Sequence, residues 1–196
     1  MDEFILEIGN RELKVKIRNL AERANADVLV SYGDTLVFAT CVMAKEEKAS
    51  LGFLPLTVDY EEKYYAAGKI QGPRYIKRES RPSDEAIVNA RLIDRAIRPR
   101  FPKNLNREVQ VIITVLSWDE KNDPDVVSLI AASTALLISD IPWQGPVAAV
   151  RIGKVNEEFI LNPTYEEREK SKMDFMLAGI QTNGKFLINM LEGGFD

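Results

Sequence analysis

Tyr75, Lys77, Arg78 and Arg81, followed by Arg91, Arg95 and Arg98, are the residues of this chain best suited to chemistry, and what they suit is the grip of a polyanion. They lie in a stretch from Gly68 to Lys103 that holds ten basic and four acidic residues, a local balance of +6 in a chain of formal charge −4. The rest of the chain therefore sums to −10. One basic island on an acidic body is a directed feature, because a solubilising surface mixes the signs. Cations beside an aromatic on a loop suit single-stranded nucleic acid: phosphates pair with the cations, and a base stacks on the ring of Tyr75.

Other chemistries are narrowed by what the chain lacks. It has no histidine and a single cysteine, Cys41. Ser-His-Asp and Cys-His catalysis and histidine-ligated zinc are thereby excluded. Carboxylates, lysine, tyrosine and a carboxylate-held hard metal such as magnesium remain. Cys41 sits in the apolar run from Leu36 to Met43 and reads as a buried strand thiol, with no internal disulfide possible.

Two elements must position the basic island. From Gly68 to Ser83, Gly72-Pro73 and Arg81-Pro82 resist regular structure and predict a long exposed loop. Ser83 then predicts a helix N-cap, with Asp84 and Glu85 suiting the positive end of the helix. At 100° per residue Ala86, Ala90, Ile93 and Ile97 share one face, and Arg91, Arg95 and Arg98 form a row on the opposite side. Pro99 and Pro102 end the helix. Asp84 and Asp94 can neutralise part of the row, so a salt-bridged, solvated face is the alternative to a polyanion site.

Around this island the chain reads as an α+β domain with a mixed sheet. Strands are expected over residues 3–8 and 12–18 with a turn at Gly9-Asn10, and over 27–32 and 35–43 with a turn at Gly33-Asp34. Further strands follow at 54–60, 108–117, 148–152 and 158–161, with a hairpin at 173–181 and 185–191 turned by Asn183-Gly184. A helix from Asp123 or Pro124 to about Ser139 is apolar nearly all round and must be buried against a sheet. The acidic residues Glu166, Glu167 and Glu169 read as a connector. The N-terminus is acidic and its apolar part too short for a signal peptide, and no apolar run approaches 18 residues, so a cytoplasmic protein with no membrane partner is the default expectation.

Tyr65-Ala66-Ala67-Gly68-Lys69-Ile70, Lys77-Arg78-Glu79, Arg81-Pro82-Ser83, Arg91-Leu92-Ile93-Asp94-Arg95 and Ile97-Arg98-Pro99 resemble the polynucleotide phosphorylase family. Asn122, Pro124-Asp125, Ser139-Asp140-Ile141-Pro142 and Gly145-Pro146-Val147 continue the match in order, over essentially the whole chain. The resemblance implies a ribonuclease PH-like domain (ribosomal protein S5 domain 2-like), one of two in tandem, followed by small RNA-binding modules, in a ring-shaped homotrimer. It implies phosphorolytic shortening of single-stranded RNA from the 3′ end, with Mg2+ and inorganic phosphate as cofactor and co-substrate, and possible association with other RNA-degradation components. The motifs resemble the first copy, whose implied role is trimer assembly and RNA guidance by the loop arginines, with Mg2+ and the chemistry on the second copy.

Against the pattern of an active copy, Asp174 is retained while Arg168 and Met176 stand where an Asp and a Lys would. Asp123-Pro124-Asp125 replace consecutive phosphate-binding serines at the start of the buried helix. The resemblance thus implies no catalytic residue and no metal ligand in this domain, with Asp174 the remnant of a degenerate site. Arg74-Tyr75-Ile76-Lys77-Arg78 also departs from the family's paired aromatics before two arginines. Residues 1–196 are expected to form one such domain, truncated before its last helix and exposing an apolar face near the C-terminus. A solitary active ribonuclease PH-type exonuclease and a purely structural assembly domain are the alternative readings.

Overall fold

The computed structural model describes residues 2–47, 52–70, 72 and 81–195. Tyr75, Lys77 and Arg78 of the expected RNA loop lie outside the described residues.

Two sheets enclose a helical layer. The first has six strands in the order β1-β2-β3-β4-β6-β5: β1 (Asp2–Ile8), β2 (Arg11–Ile17), β3 (Ala26–Tyr32), β4 (Thr35–Met43), β6 (Val109–Ser117) and β5 (Leu56–Glu62). Neighbours are antiparallel except β5 and β6, which run parallel because the α1 crossover joins them. The second sheet is antiparallel, in the order β10-β9-β7-β8, from β7 (Ala148–Val155), β8 (Glu158–Leu161), β9 (Met173–Thr182) and β10 (Lys185–Phe195). The mixed sheet foreseen from the sequence is therefore the first of two, and the later strands close a separate one.

Helix α2 (Pro124–Ile138) packs on β3, β4 and β6 of the first sheet and on β7 of the second, which explains why it is apolar around its circumference. Leu129, Ala131, Ala132 and Ala135 are completely buried. Cys41 faces it from β4, its thiol donating to the Ala135 carbonyl at 3.4 Å, and burial pushes that thiol up to about 11. Helix α1 (Asp84–Ile97) lies against β5, α2 and β10 and buries Ala86, Leu92, Ile93, Ala96 and Ile97. Ser83 caps it as expected, its hydroxyl accepting from the Ala86 N–H at 3.0 Å. Pro99 does not stop the chain's coiling at once: Arg98–Arg100 continues as a 3-10 turn.

The segment read as an acidic connector contains a short helix, α3 (Tyr165–Glu169). Thr164 and Glu167 form a capping box, each side chain accepting from the other's backbone N–H. Strand β10 runs on past Leu191 to Phe195. The apolar face expected near the C-terminus is present there, with Phe186, Ile188, Leu191 and Phe195 on one side of β10, all more than half exposed.

Candidate functional site

Four elements converge on one charge cluster. Asp123 and Asp125 come from the N-terminus of α2, Arg151 and Asp174 from one face of the β7-β9 pair, and Arg168 from α3. Arg151 Nη1 donates to both oxygens of Asp174 at 2.9 and 2.7 Å, while its Nη2 donates to Asp125 and lies 3.6 Å from Asp123. Arg168 donates from Nη1 to Asp123 at 2.6 Å, and from Nε and Nη2 to Asp174 Oδ2 at 3.1 and 2.8 Å. Three carboxylates thus share two guanidiniums, which leaves the cluster one negative charge in excess.

That excess falls on the most deeply buried member. Burial pushes the Asp125 carboxyl up to about 6, with Asp123 adding to the shift and Arg151 and the Val126 N–H opposing it. Burial alone would weaken the Arg151 charge, but Asp125, Asp123 and Asp174 together hold its guanidinium protonated more firmly than usual. The start of α2 is occupied by the chain's own anions: Asp123 accepts from the Asp125 N–H at 3.3 Å, and Asp125 accepts from Val126. Pro124 supplies no N–H there.

Arg168, Asp174, Asp123 and Asp125 were singled out from the sequence, and the fold brings all four together. Met176 lies on the same face, directly across from Arg151, but deeper, where it is buried in the core. Arg151 was missed. Its signal was a lone arginine inside the otherwise apolar run from Ala148 to Ile152, a position that demands a buried counter-charge. Beside the cluster opens a cleft of about 590 Å³, lined by Tyr165, Arg168, Ser171, Asp174 and Phe195 among others.

The arginine row of α1 needs a correction. Arg91 and Arg95 are exposed, as is Arg81 at the helix approach. Arg98 leaves the row: it donates to both oxygens of Asp94, at 2.9 and 2.6 Å, and to the carbonyls of Leu54 and Leu56, each at 3.1 Å. The reason is that the carbonyl ends at the start of β5 need donors, and a planar guanidinium supplies several in one fork. Of the three helix arginines, two project to solvent.

Residues 9–142 match the 3′ exoribonuclease family, domain 1. The chain belongs to the 3′ exoribonuclease family. Residues 145–195 of this family member match domain 2 of the same family, so the division falls between α2 and β7, where the chain passes from the first sheet to the second. Among relatives, it is 51% identical over 191 residues to a polyribonucleotide nucleotidyltransferase of Exiguobacterium sibiricum, covering 97% of this chain and 25% of that protein. It is 51% identical over 176 residues to the polyribonucleotide nucleotidyltransferase of Thermus thermophilus, covering 90% of this chain and 24% of that protein. The chain thus spans about a quarter of the length of the relatives it matches. The rice Rrp46 crystal structure superimposes with a TM-score of 0.71 at 16% identity, covering 93% of this chain and 80% of that one, which establishes the ribonuclease PH-like α+β fold.

Proposed function

We propose that residues 1–196 are the first ribonuclease PH-like domain of a phosphorolytic 3′-to-5′ exoribonuclease, serving trimer assembly and single-stranded RNA guidance while the chemistry resides elsewhere in the polypeptide. The reading is supported by the relatives' shared name and by their fourfold greater length. The observation that carries it is the ion cluster of Asp123, Asp125, Asp174, Arg151 and Arg168.

The family implies magnesium and inorganic phosphate, and the residues here do not fit either. Asp174 offers its oxygens to two guanidiniums, and Asp125 is engaged by Arg151 and Val126. A metal would have to displace both arginines from their carboxylates. An incoming phosphate would meet Asp123 and Asp125 at the helix start, where an anion site presents free N–H groups. The cluster's carboxylates are engaged by its own arginines and the helix start by its own anions, so the domain works as a degenerate copy, in which Asp174 has become an ion-pair partner and Mg2+ belongs to the second copy. The same pairing speaks against a solitary active exonuclease.

Tyr75, Lys77, Arg78 and Arg81, with Arg91 and Arg95, then guide RNA phosphates and bases toward that second copy. Arg98 serves the fold, and this one observation favours the purely structural reading for that residue. No helix among the described residues is long and apolar enough to cross a membrane, and the reading places the protein in the cytoplasm.

The deciding experiment is nucleoside diphosphate release from single-stranded RNA by the 196-residue chain, with magnesium and phosphate supplied. The expected result is no release above background. Phosphate-dependent release abolished by Asp174→Asn would overturn the degenerate reading.

A further inference from the structure

The fold divides the run Tyr65-Ala66-Ala67-Gly68-Lys69 into two kinds of residue. Its backbone belongs to a pinned 3-10 turn, Tyr64–Ala67. The Ala66 carbonyl accepts from the Trp118 N–H at 3.0 Å, the Gly68 N–H donates to the Tyr65 carbonyl at 3.0 Å, and the Lys69 N–H donates to the Tyr64 carbonyl at 2.9 Å. Gly68 closes the turn at φ 66°, in the left-handed region where a side chain is strained, and Ala66 packs on the core. Tyr65 and Lys69 serve neither purpose. Both are exposed, Tyr65 by 57%. Apart from its chain neighbours, no described atom lies within 4 Å of the place a Gly68 Cβ would take, which leaves open room on this side of the turn.

Tertiary packing sets this turn beside the start of α1. Arg98, just past the end of α1, is bonded to Leu54 and Leu56 at the start of β5. At the other end of β5, partial burial pushes the Glu62 carboxyl up, with Glu85 of α1 adding to the shift and the Ser83 hydroxyl opposing it. Helix α1 therefore runs antiparallel along β5, and the lengths match, since 14 helical and seven extended residues each span about 21–23 Å. The chain leaves β5 after Glu62 and enters α1 at Ser83, so Tyr65 and Lys69 on the departing side and exposed Arg81 on the returning side stand at the same end of the pair. We propose that Tyr65 and Lys69 form a further single-stranded RNA contact there, an unpaired base stacking on the Tyr65 ring while Lys69 pairs with a neighbouring phosphate. Glu62, Asp84 and Glu85 at this end repel phosphate, so the strand's backbone is held at Lys69 and Arg81 and the ring is met by a base. A ring carried on a pinned turn is ordered before RNA arrives, which lowers the entropy cost of binding. The contact rests on the RNA-guidance reading and adds to it two residues outside the arginine set.

The test is fluorescence anisotropy of the 196-residue chain with a labelled oligoadenylate and with an abasic oligonucleotide of the same length, at several salt concentrations, with circular dichroism as the check on folding. Tyr65→Ala should weaken oligoadenylate binding about fivefold or more and leave the slope of log affinity against log salt unchanged. Tyr65→Phe keeps the ring and should bind like the parent, and on the abasic strand the parent and Tyr65→Ala should bind alike. Lys69→Ala should flatten the salt slope by about 0.7. Parent-like binding of oligoadenylate by Tyr65→Ala, a loss shared by Tyr65→Phe or by the abasic strand, or an unchanged slope in Lys69→Ala would each overturn the proposal and leave the RNA-guidance reading to the arginine variants. A parent chain that binds neither strand would overturn both.

Discussion

Arg168 donates to Asp174 Oδ2 from both Nε and Nη2, at 3.1 and 2.8 Å, across five intervening residues that join the end of α3 to β9. In the degenerate reading proposed above, this guanidinium takes the place of a magnesium-binding carboxylate and is bonded to the one carboxylate that the family pattern retains.

Arg151→Met leaves Asp125 and Asp123 without their shared cation in a buried place. The expected loss of unfolding free energy is about 3–5 kcal/mol, read from urea denaturation. Adding Asp125→Asn should recover part of that loss, a coupling of about 0.5–3 kcal/mol. Strictly additive losses would show that the two side chains do not interact.

Asp125 supplies a pH dependence whose sign is fixed. Its folded-state carboxyl is raised from the ordinary 3.8 to about 6, so the folded protein holds this proton more tightly than the unfolded chain. The resulting stabilisation is fully present below 3.8 and is lost as pH rises through 6. Relative to Asp125→Asn, the parent chain should therefore gain stability as pH falls from 7 to 4, measured by denaturation at each pH. A difference that is flat across this window would contradict the shift.

Arg98→Ala removes the donors that Leu54 and Leu56 carbonyls and Asp94 use, and should cost about 1–3 kcal/mol in stability. Lysine at this position should rescue little, since it cannot present the same fork. RNA affinity per folded molecule is expected to stay unchanged, in contrast to the exposed arginines.

Lys77→Ala, Arg78→Ala and Arg81→Ala together, and Arg91→Ala with Arg95→Ala, should weaken binding of single-stranded RNA to the full-length enzyme. Each phosphate contact removed should flatten the slope of log affinity against log salt by about 0.7. Titration at several salt concentrations reads both quantities. Unchanged affinity and slope would leave these residues to assembly alone.

Local patterns made much of this molecule legible. The alternation of Leu13, Val15 and Ile17 with Lys14, Lys16 and Arg18 marked β2, and Ser83 with Asp84 and Glu85 marked the start of α1 to the residue. The division into two sheets was not legible, because strand partnership depends on contacts between residues far apart in the chain. α3 was hidden because its glutamates suit a solvated connector equally well, and only the Thr164 to Glu167 capping box distinguishes the helix.

By itself the sequence determined the segments other than α3, the caps of α1 and α2, the family and four of the five residues of the ion cluster, because periodicity, capping and motif order are properties of neighbouring positions. Tertiary structure decided that Arg98 belongs to β5 and Asp94 and that Arg151 completes the cluster. Those are choices of partner, and a charged side chain finds its partner through space, where chain order gives no measure of distance.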